Sequence, residues 1–477
     1  MKFCQGAAIF ATSMATPQSV KIENSYRNIL QLALPIGISI LIPQLNLLTN
    51  TLFLGAYTPS EGALTTRELL GASGIAGIYY LTLVMIGYGL VAGLLMFMSR
   101  KAGEEDVPGM GKLFSTGFWL CLALVAALIL LSVGFTPILF KLAIHDEAIR
   151  KAALSFIQIR YWGLPFVILY QLSNSLFIAS GRSKRIIIGS IVQTVVNILF
   201  DYLLIFGVGV FPEMGLNGTA LASILSEAAY MLVGFGMIFT GTAFASFNIN
   251  VWQRPDLAQM KLIFFKSFPL IFQNFLSIGA WEVFFLYIEH LGKAESAVSQ
   301  ILRSVFGVVG VAAWALASTC NSMVSNLIGQ GQSEEVIPLI KKIIFVSFSV
   351  AFVLGISIFL FPTWFLGLMT HDEGLVQTGA VSMRIVVMAT WMLSVSTICF
   401  HGVVGTGNTK MNMVFEIVAI LFYLIYVTIV VEVMHLSLAY AWASEFVYWL
   451  SLFIMSAWYL KRAAWRTDLA ISNRNLL

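Results

Sequence analysis

Long apolar stretches recur about twelve times along this chain, and nothing else about it restricts the fold so tightly. A helix needs about 20 mostly apolar residues to cross the hydrocarbon core of a bilayer. Candidate spans of that kind fall near 29–55, 72–98, 113–135, 156–179, 186–210, 216–242, 262–288, 297–325, 338–361, 380–404, 411–433 and 435–459. In lipid the backbone amides must be satisfied within each segment, so the spans are read as α-helices. Only short connections remain between them, which leaves no soluble catalytic core. Composition agrees: 59% of the 477 residues are hydrophobic and 10% charged, against about 45–50% and about 25% in soluble domains. Lipid must therefore cover much of the surface. Cys4, Cys121, Cys320 and Cys399 lack the paired spacing of a zinc site or redox motif and read as small buried hydrophobes. The apolar stretch Gly6–Ala15 is too short to span, and Met1 and Met14 both stand as candidate initiators.

Lysine and arginine concentrate on the side of a membrane that faces the cytoplasm. Nineteen of the 27 basic residues fall in the termini and alternate loops, including Arg100/Lys101/Lys112, Arg182/Lys184/Arg185 and Arg254/Lys261/Lys266, and five lie on the other side. Three more, Arg160, Arg303 and Arg384, fall within or at the edges of spans. The bias predicts that both termini are cytoplasmic. The chain also repeats itself. His145-Asp146-Glu147 recurs as His371-Asp372-Glu373, an offset of 371 − 145 = 226. The same offset relates Ser99 to Ser325, Gly103 to Gly329, and Gly181-x-Ser183-Lys184 to Gly407-x-Thr409-Lys410, while Leu34-Pro35 matches Phe268-Pro269 at a slightly larger one. With six spans each, the halves point the same way, so the expected fold is an all-α membrane protein of two six-helix repeats about a pseudo-two-fold axis along the membrane normal. The boundaries read as a tail (1–27), a first half (28–245), a cytoplasmic linker (246–261), a second half (262–460) and a cytoplasmic tail (461–477). Parallel repeats of this kind place a substrate between the halves near mid-bilayer.

Several motifs then fall in order: Leu34-Pro35-Ile36 and Thr49 to Gly55 in the first span, the small-residue run Gly87 to Gly93 in the second, and the loop Ser99 to Gly103 after it. The fifth span carries Asn197-Ile-Leu-Phe-Asp201 through Gly207, followed by Gly215-x-x-Gly218-Thr219-Ala220-x-Ala222-Ser223. In this order the chain resembles the multidrug and toxic compound extrusion (MATE) transporters, over essentially all of its length after about residue 25. The resemblance implies export through the membrane, with a cation site at Asn197, Asp201 and Thr219. It departs from that pattern at Asn50, where one branch has Asp, at Ser277, the first of two seventh-span glutamates in eukaryotic members, and at Leu393, a tenth-span Asp elsewhere.

Ionisable groups at mid-bilayer cost roughly 2.5–3.5 kcal/mol each on insertion scales, so each needs a partner, a wet cavity or a task. Five acids lie in the spans: Asp201, Glu227, Glu282, Glu416 and Glu445. Asn197 precedes Asp201 by four residues, which puts amide and carboxylate on one helix face. With Thr219 from the next span and Asn50 from the first, they make an oxygen-rich cluster. It suits Na⁺, held above all by Asp201 and Asn197, or a carboxyl that takes a proton. With Asn50 in place of Asp the cluster carries one negative charge. Glu282, beside Trp281, is divided between binding a proton or substrate and bonding a neighbouring helix. Glu227, Glu416 and Glu445 are expected to partner one another or the edge arginines, Arg160 and Arg384 to snorkel outward, and His401 to be a satisfied packing group.

Together with these acids, the resemblance implies a cation-coupled exporter, driven by H⁺ or Na⁺, of amphipathic organic cations, expected to act as a monomer among membrane lipids in the cell inner membrane. A flippase of lipid-linked or polysaccharide precursors shares the architecture but would gather basic residues in its cavity. No HExxH, GxSxG or GxxxxGK[ST] pattern is present, so neither an enzyme nor an ATP-driven pump is expected; nor is a cofactor, a structural metal or a nucleic-acid partner.

Overall fold

The computed structural model describes residues 20–59, 64–240, 242–370, 372–462 and 465–466. Met1, Cys4, Gly6–Ala15, Met14, His371 and most of the C-terminal tail lie outside them. The first half runs through α1 (Tyr26–Ala56), α2 (Thr66–Gly103), α3 (Val107–Ala143), α4 (Glu147–Arg160), α5 (Leu164–Ala179), α6 (Lys184–Ile205) and α7 (Leu216–Phe239). The second runs through α8 (Leu257–Leu291), α9 (Lys293–Gly329), α10 (Val336–Leu360), α11 (Pro362–Met369), α12 (Glu373–Thr406), α13 (Thr409–Thr428), α14 (Leu438–Trp442) and α15 (Ser444–Arg462). Among the described residues, eleven helical runs are long and apolar enough to cross a membrane. α1, 31 residues long, completes a bundle of twelve. Each half has its own apolar core: Leu90, Leu94, Phe114, Leu172 and Phe177 belong to one, and Leu302, Met323, Val387, Leu393 and Trp442 to the other.

The helices differ from the expected spans at several places. The fourth begins early, at Glu147, and is interrupted by a single tighter turn, Tyr161–Gly163, just before Pro165, which has no amide hydrogen to give to the ladder. α11, eight residues long, lies between the ninth and tenth spans and is too short to cross. Ser99–Gly103, expected as a loop, continues α2, because the second half buries it.

The repeated motifs are structural punctuation. Asp146 Oδ1 accepts from the amides of Ala148 (2.8 Å) and Ile149 (3.0 Å) at the start of α4. Asp372 Oδ1 accepts from Gly374 (2.9 Å) and Leu375 (3.3 Å) at the start of α12. Each caps orphan amides, and the glutamate that follows sits at the positive end of the helix dipole. Gly181 (φ 70°) and Gly407 (φ 95°) end the fourth and tenth spans in the left-handed region, where a side chain would be strained.

The hydrogen bonds that join the halves fall at the end bearing the termini. Ser99 and Ser322 hydroxyls meet at 2.8 Å, Asn321 Nδ2 donates to Ala92 O at 3.2 Å, and the buried Arg100 donates to Thr406 O at 3.0 Å. There α2 presses backbone to backbone on its neighbours. A β-carbon on Gly89 would strike the Ile271 backbone, one on Gly103 would strike Asn326 and Gln330, and one on Gly329 would strike Arg100 and Glu104. Residues 20–24 cross the same seam. Asn326 donates to Val20 O (3.1 Å) and accepts from Ile22 N (3.0 Å), Gln330 donates to Ile22 O (3.2 Å), and Lys342 donates to Asn24 O (3.0 Å).

Candidate functional site

α6 carries Asn197 and Asp201 one turn apart, 1% and 0% exposed. α1 and α7 bring Asn50 and Ser223 against them. Oriented to satisfy its neighbours, the Asn50 amide nitrogen lies 2.5 Å from Asp201 Oδ2, 2.8 Å from Asn46 O and 3.1 Å from Asn197 Oδ1, while its oxygen accepts from Ser223 Oγ at 3.2 Å. Asp201 Oδ1 and Asn197 Nδ2, both buried, have no hydrogen-bond partner among the described residues. One unpaired carboxylate oxygen and one unpaired amide therefore remain in a cluster whose edge, at Asn50 and Ser223, is half-buried. Buried polar atoms are nearly always satisfied, and this arrangement could take a proton on Oδ1, or a cation held by the oxygens of Asp201 and Asn197.

The structure brings three of the four expected residues together: Asp201, Asn197 and Asn50. Thr219 is buried beside them in sequence order, but its hydroxyl donates to Leu216 O at 2.8 Å within its own helix, and no hydrogen bond joins it to Asp201. Ser223, one turn further along α7, is the residue that reaches Asn50; the motif Gly215 to Ser223 contained it, but only the helix phase between α1 and α7 selects it. Among the described residues no group of three His, Cys, Asp or Glu side chains could hold a metal ion.

Two other expectations change. Arg160 does not snorkel. Its side chain is 11% exposed and grips Glu227 through both carboxylate oxygens, at 2.7 and 2.8 Å, with Tyr80 Oη 3.2 Å from each partner. The break after α4 turns Arg160 inward, and an interior arginine must be paired; Glu227 thus partners an edge arginine, as expected. Glu416 and Glu445 bond neither each other nor an arginine. Tyr448 donates to Glu416 at 2.5 Å, and Trp449 and Tyr423 donate to Glu445 at 2.9 and 3.3 Å. Glu282 faces Arg303 of α9 at 3.6 Å, and that guanidinium also lies 4.6 Å over the Trp281 ring. His401 is a satisfied packing group, its Nδ1 3.0 Å from Thr397 O. Cys121, Cys320 and Cys399 are buried.

The model of the family described as MatE matches residues 35–203 and again 269–431. The chain belongs to the MatE family. That family is one of transporters and not of enzymes, and its twofold match falls on the two halves of the bundle. "Probable multidrug resistance protein NorM" of Idiomarina loihiensis is 22% identical over 83% of this chain and 84% of its own length. A Pseudomonas putida protein of the same name is 26% identical over 58% of each. Among solved structures, one described as the outward-facing conformation of a multidrug resistance MATE family transporter superposes with a TM-score of 0.82 at 15% identity, over 96% of this chain and 98% of the other. This MatE protein is thus a multi-pass membrane transporter with the family's twelve-helix fold.

Proposed function

We propose that this MatE protein exports amphipathic organic cations in exchange for H⁺ or Na⁺, and that Asp201 is where the driving ion binds. The observation that carries this reading is the buried Oδ1 of Asp201, which accepts no hydrogen bond from the described residues, in a cluster with Asn50, Asn197 and Ser223. Entry of the ion satisfies that oxygen and removes the cluster's charge, and the halves then rock about the seam at the terminus-bearing end. Asn197 orients the carboxylate and Asn50 ties α1 to it, with Ser223 holding Asn50 from α7. Glu282 is a secondary acid, available to a proton or cationic substrate when Arg303 releases it. The loop charges support an orientation with both termini cytoplasmic in a cell inner membrane, and the protein acts as a monomer. The in-span arginines support export of cations over flipping of anions, since Arg160 and Arg303 are paired with acids and Arg384 with Phe359 O.

Ethidium efflux from energised cells tests this, comparing wild type with Asp201→Asn, with and without a Na⁺ gradient. Wild type should pump and Asp201→Asn should not, and the Na⁺ arm names the ion. Folded wild-type protein that moves nothing under any gradient would sink the reading and put the flippase ahead.

A further inference from the structure

The Asp201 cluster has a counterpart that the coupling scheme leaves unused. Glu416 and Glu445 are 1% and 3% exposed, on α13 and α15. Tyr448 donates to Glu416 and lies 3.3 Å from Ser277 of α8. Tyr423 and Trp449 serve Glu445. The Tyr423 and Tyr448 rings meet edge-on, centroids 5.7 Å apart, so the two acids belong to one network. Every one of these donors is neutral.

Charges near the network are already committed. α8 brings Glu282, held by Arg303, the Tyr287 hydroxyl, bonded to Thr428, and His290, bonded to Glu432. α12 brings Cys399 and His401, the latter turned to Thr397. Among the described residues no Lys, Arg or His bonds to Glu416 or Glu445. Two ionised carboxylates held this way would each bear an uncompensated desolvation cost, which a bound proton removes. Ser444 Oγ, 0% exposed, stands beside the Tyr423 hydroxyl as one more neutral group.

The position is also that of the first site, seen in the second repeat. Tyr423 follows Asn197 by 423 − 197 = 226, the offset of the repeat. By the same offset Glu445 falls on Thr219 (445 − 219 = 226) and Trp449, which bonds Glu445, falls on Ser223 (449 − 223 = 226). The edge is accessible in the same way: Ser277 and Tyr448 are half-buried while the acids behind them are closed.

We propose that Glu416 and Glu445, bridged by Tyr448 and Tyr423, form a second proton-binding site, in the C-terminal half, loaded and emptied past the half-buried Ser277–Tyr448 edge. A carboxylate oxygen takes the proton from water and returns it to water, with no other bond changed. The site stands apart from the Asp201 reading and needs no transported substrate.

Infrared titration of the purified protein in lipid nanodiscs tests it, by the carbonyl stretch of protonated carboxyls shielded from water. Asp201→Asn should keep a pH-dependent part of this band, and adding Glu416→Gln or Glu445→Gln should each remove a share of what remains. A titrating band absent from Asp201→Asn, or undiminished by the two glutamine variants, overturns the proposal. Should those variants fail to fold, Tyr448→Phe keeps both acids and should shift the band's frequency and its titration midpoint; a band unmoved in both respects refutes the site equally. Efflux by Asp201→Asn is read separately, so loss of one reading leaves the other standing.

Discussion

The buried Arg160–Glu227 pair gives the sharpest test of how the first half holds together. Glu227→Gln keeps the shape of the side chain and removes its charge. Arg160 is then left 11% exposed with no carboxylate, its remaining partners being the Tyr80 hydroxyl and ring, the latter 3.9 Å from the guanidinium carbon. Breaking one side of a buried, doubly hydrogen-bonded pair costs about 3–5 kcal/mol, and the neutral amide and the tyrosine ring should place this variant near the lower figure. Arg160→Met alone, which strands Glu227, should cost a comparable amount. The double variant Arg160→Met/Glu227→Leu should recover most of the loss, because removing both charges removes the penalty with the attraction. Gly163→Ala supplies an independent wedge, since a β-carbon there would run into Arg160 Nη1 and Glu227 Oε2. Equilibrium unfolding of the purified protein in mixed micelles reads all four. Single variants within about 1 kcal/mol of wild type, the range of solvated surface pairs, would refute the claim that the pair is shielded from water.

At the seam, Asn326→Ala removes both bonds to residues 20–22; at a cost of about 1–3 kcal/mol, trypsin should cleave after Lys21 and Arg27 roughly ten or more times faster, and an unchanged rate would mean the segment is held by other contacts. Near the start of α3, burial alone would raise the Asp106 carboxyl, but its ion pair with Lys101 and its bond from the Gly109 amide hold it below the ordinary value. A depressed acid stabilises the fold above its unfolded pKa, and that contribution disappears as pH falls through the folded value. Asp106→Asn should therefore flatten the acid side of the stability profile and leave its alkaline side unaltered.

Much of this was legible because membrane helices advertise themselves. Twelve apolar runs and the 226-residue offset specify the bundle and its symmetry, and Asp201 with Asn197 could be placed on one face from their spacing alone. Partners were harder. Which residue of α7 reaches Asn50 depends on helix rotation, and the apolar pattern of a helix packed on several sides leaves rotation loosely determined, so Thr219 was favoured where Ser223 makes the contact. Arg160 misled for a related reason: its place at the predicted edge of a span suggests an outward reach, whereas the turn at Tyr161–Gly163 directs it inward. The aromatic donors to Glu416 and Glu445 carry no sequence signature at all, since tyrosine and tryptophan serve as packing throughout such a chain.

The seam between the halves obeys the rule of an isologous interface. Gly103 meets Asn326 and Gln330 exactly as Gly329 meets Arg100 and Glu104, each pair being the other moved by 226 residues, so the chain contacts itself as two identical subunits would. A true homodimer must repeat every substitution on both sides of its axis. Fusion lifts that obligation. At one equivalent position stands Arg100, which holds the end of α12; at the other stands Asn326, which holds the start of the chain. A single symmetric contact has become two different fastenings, one for each half.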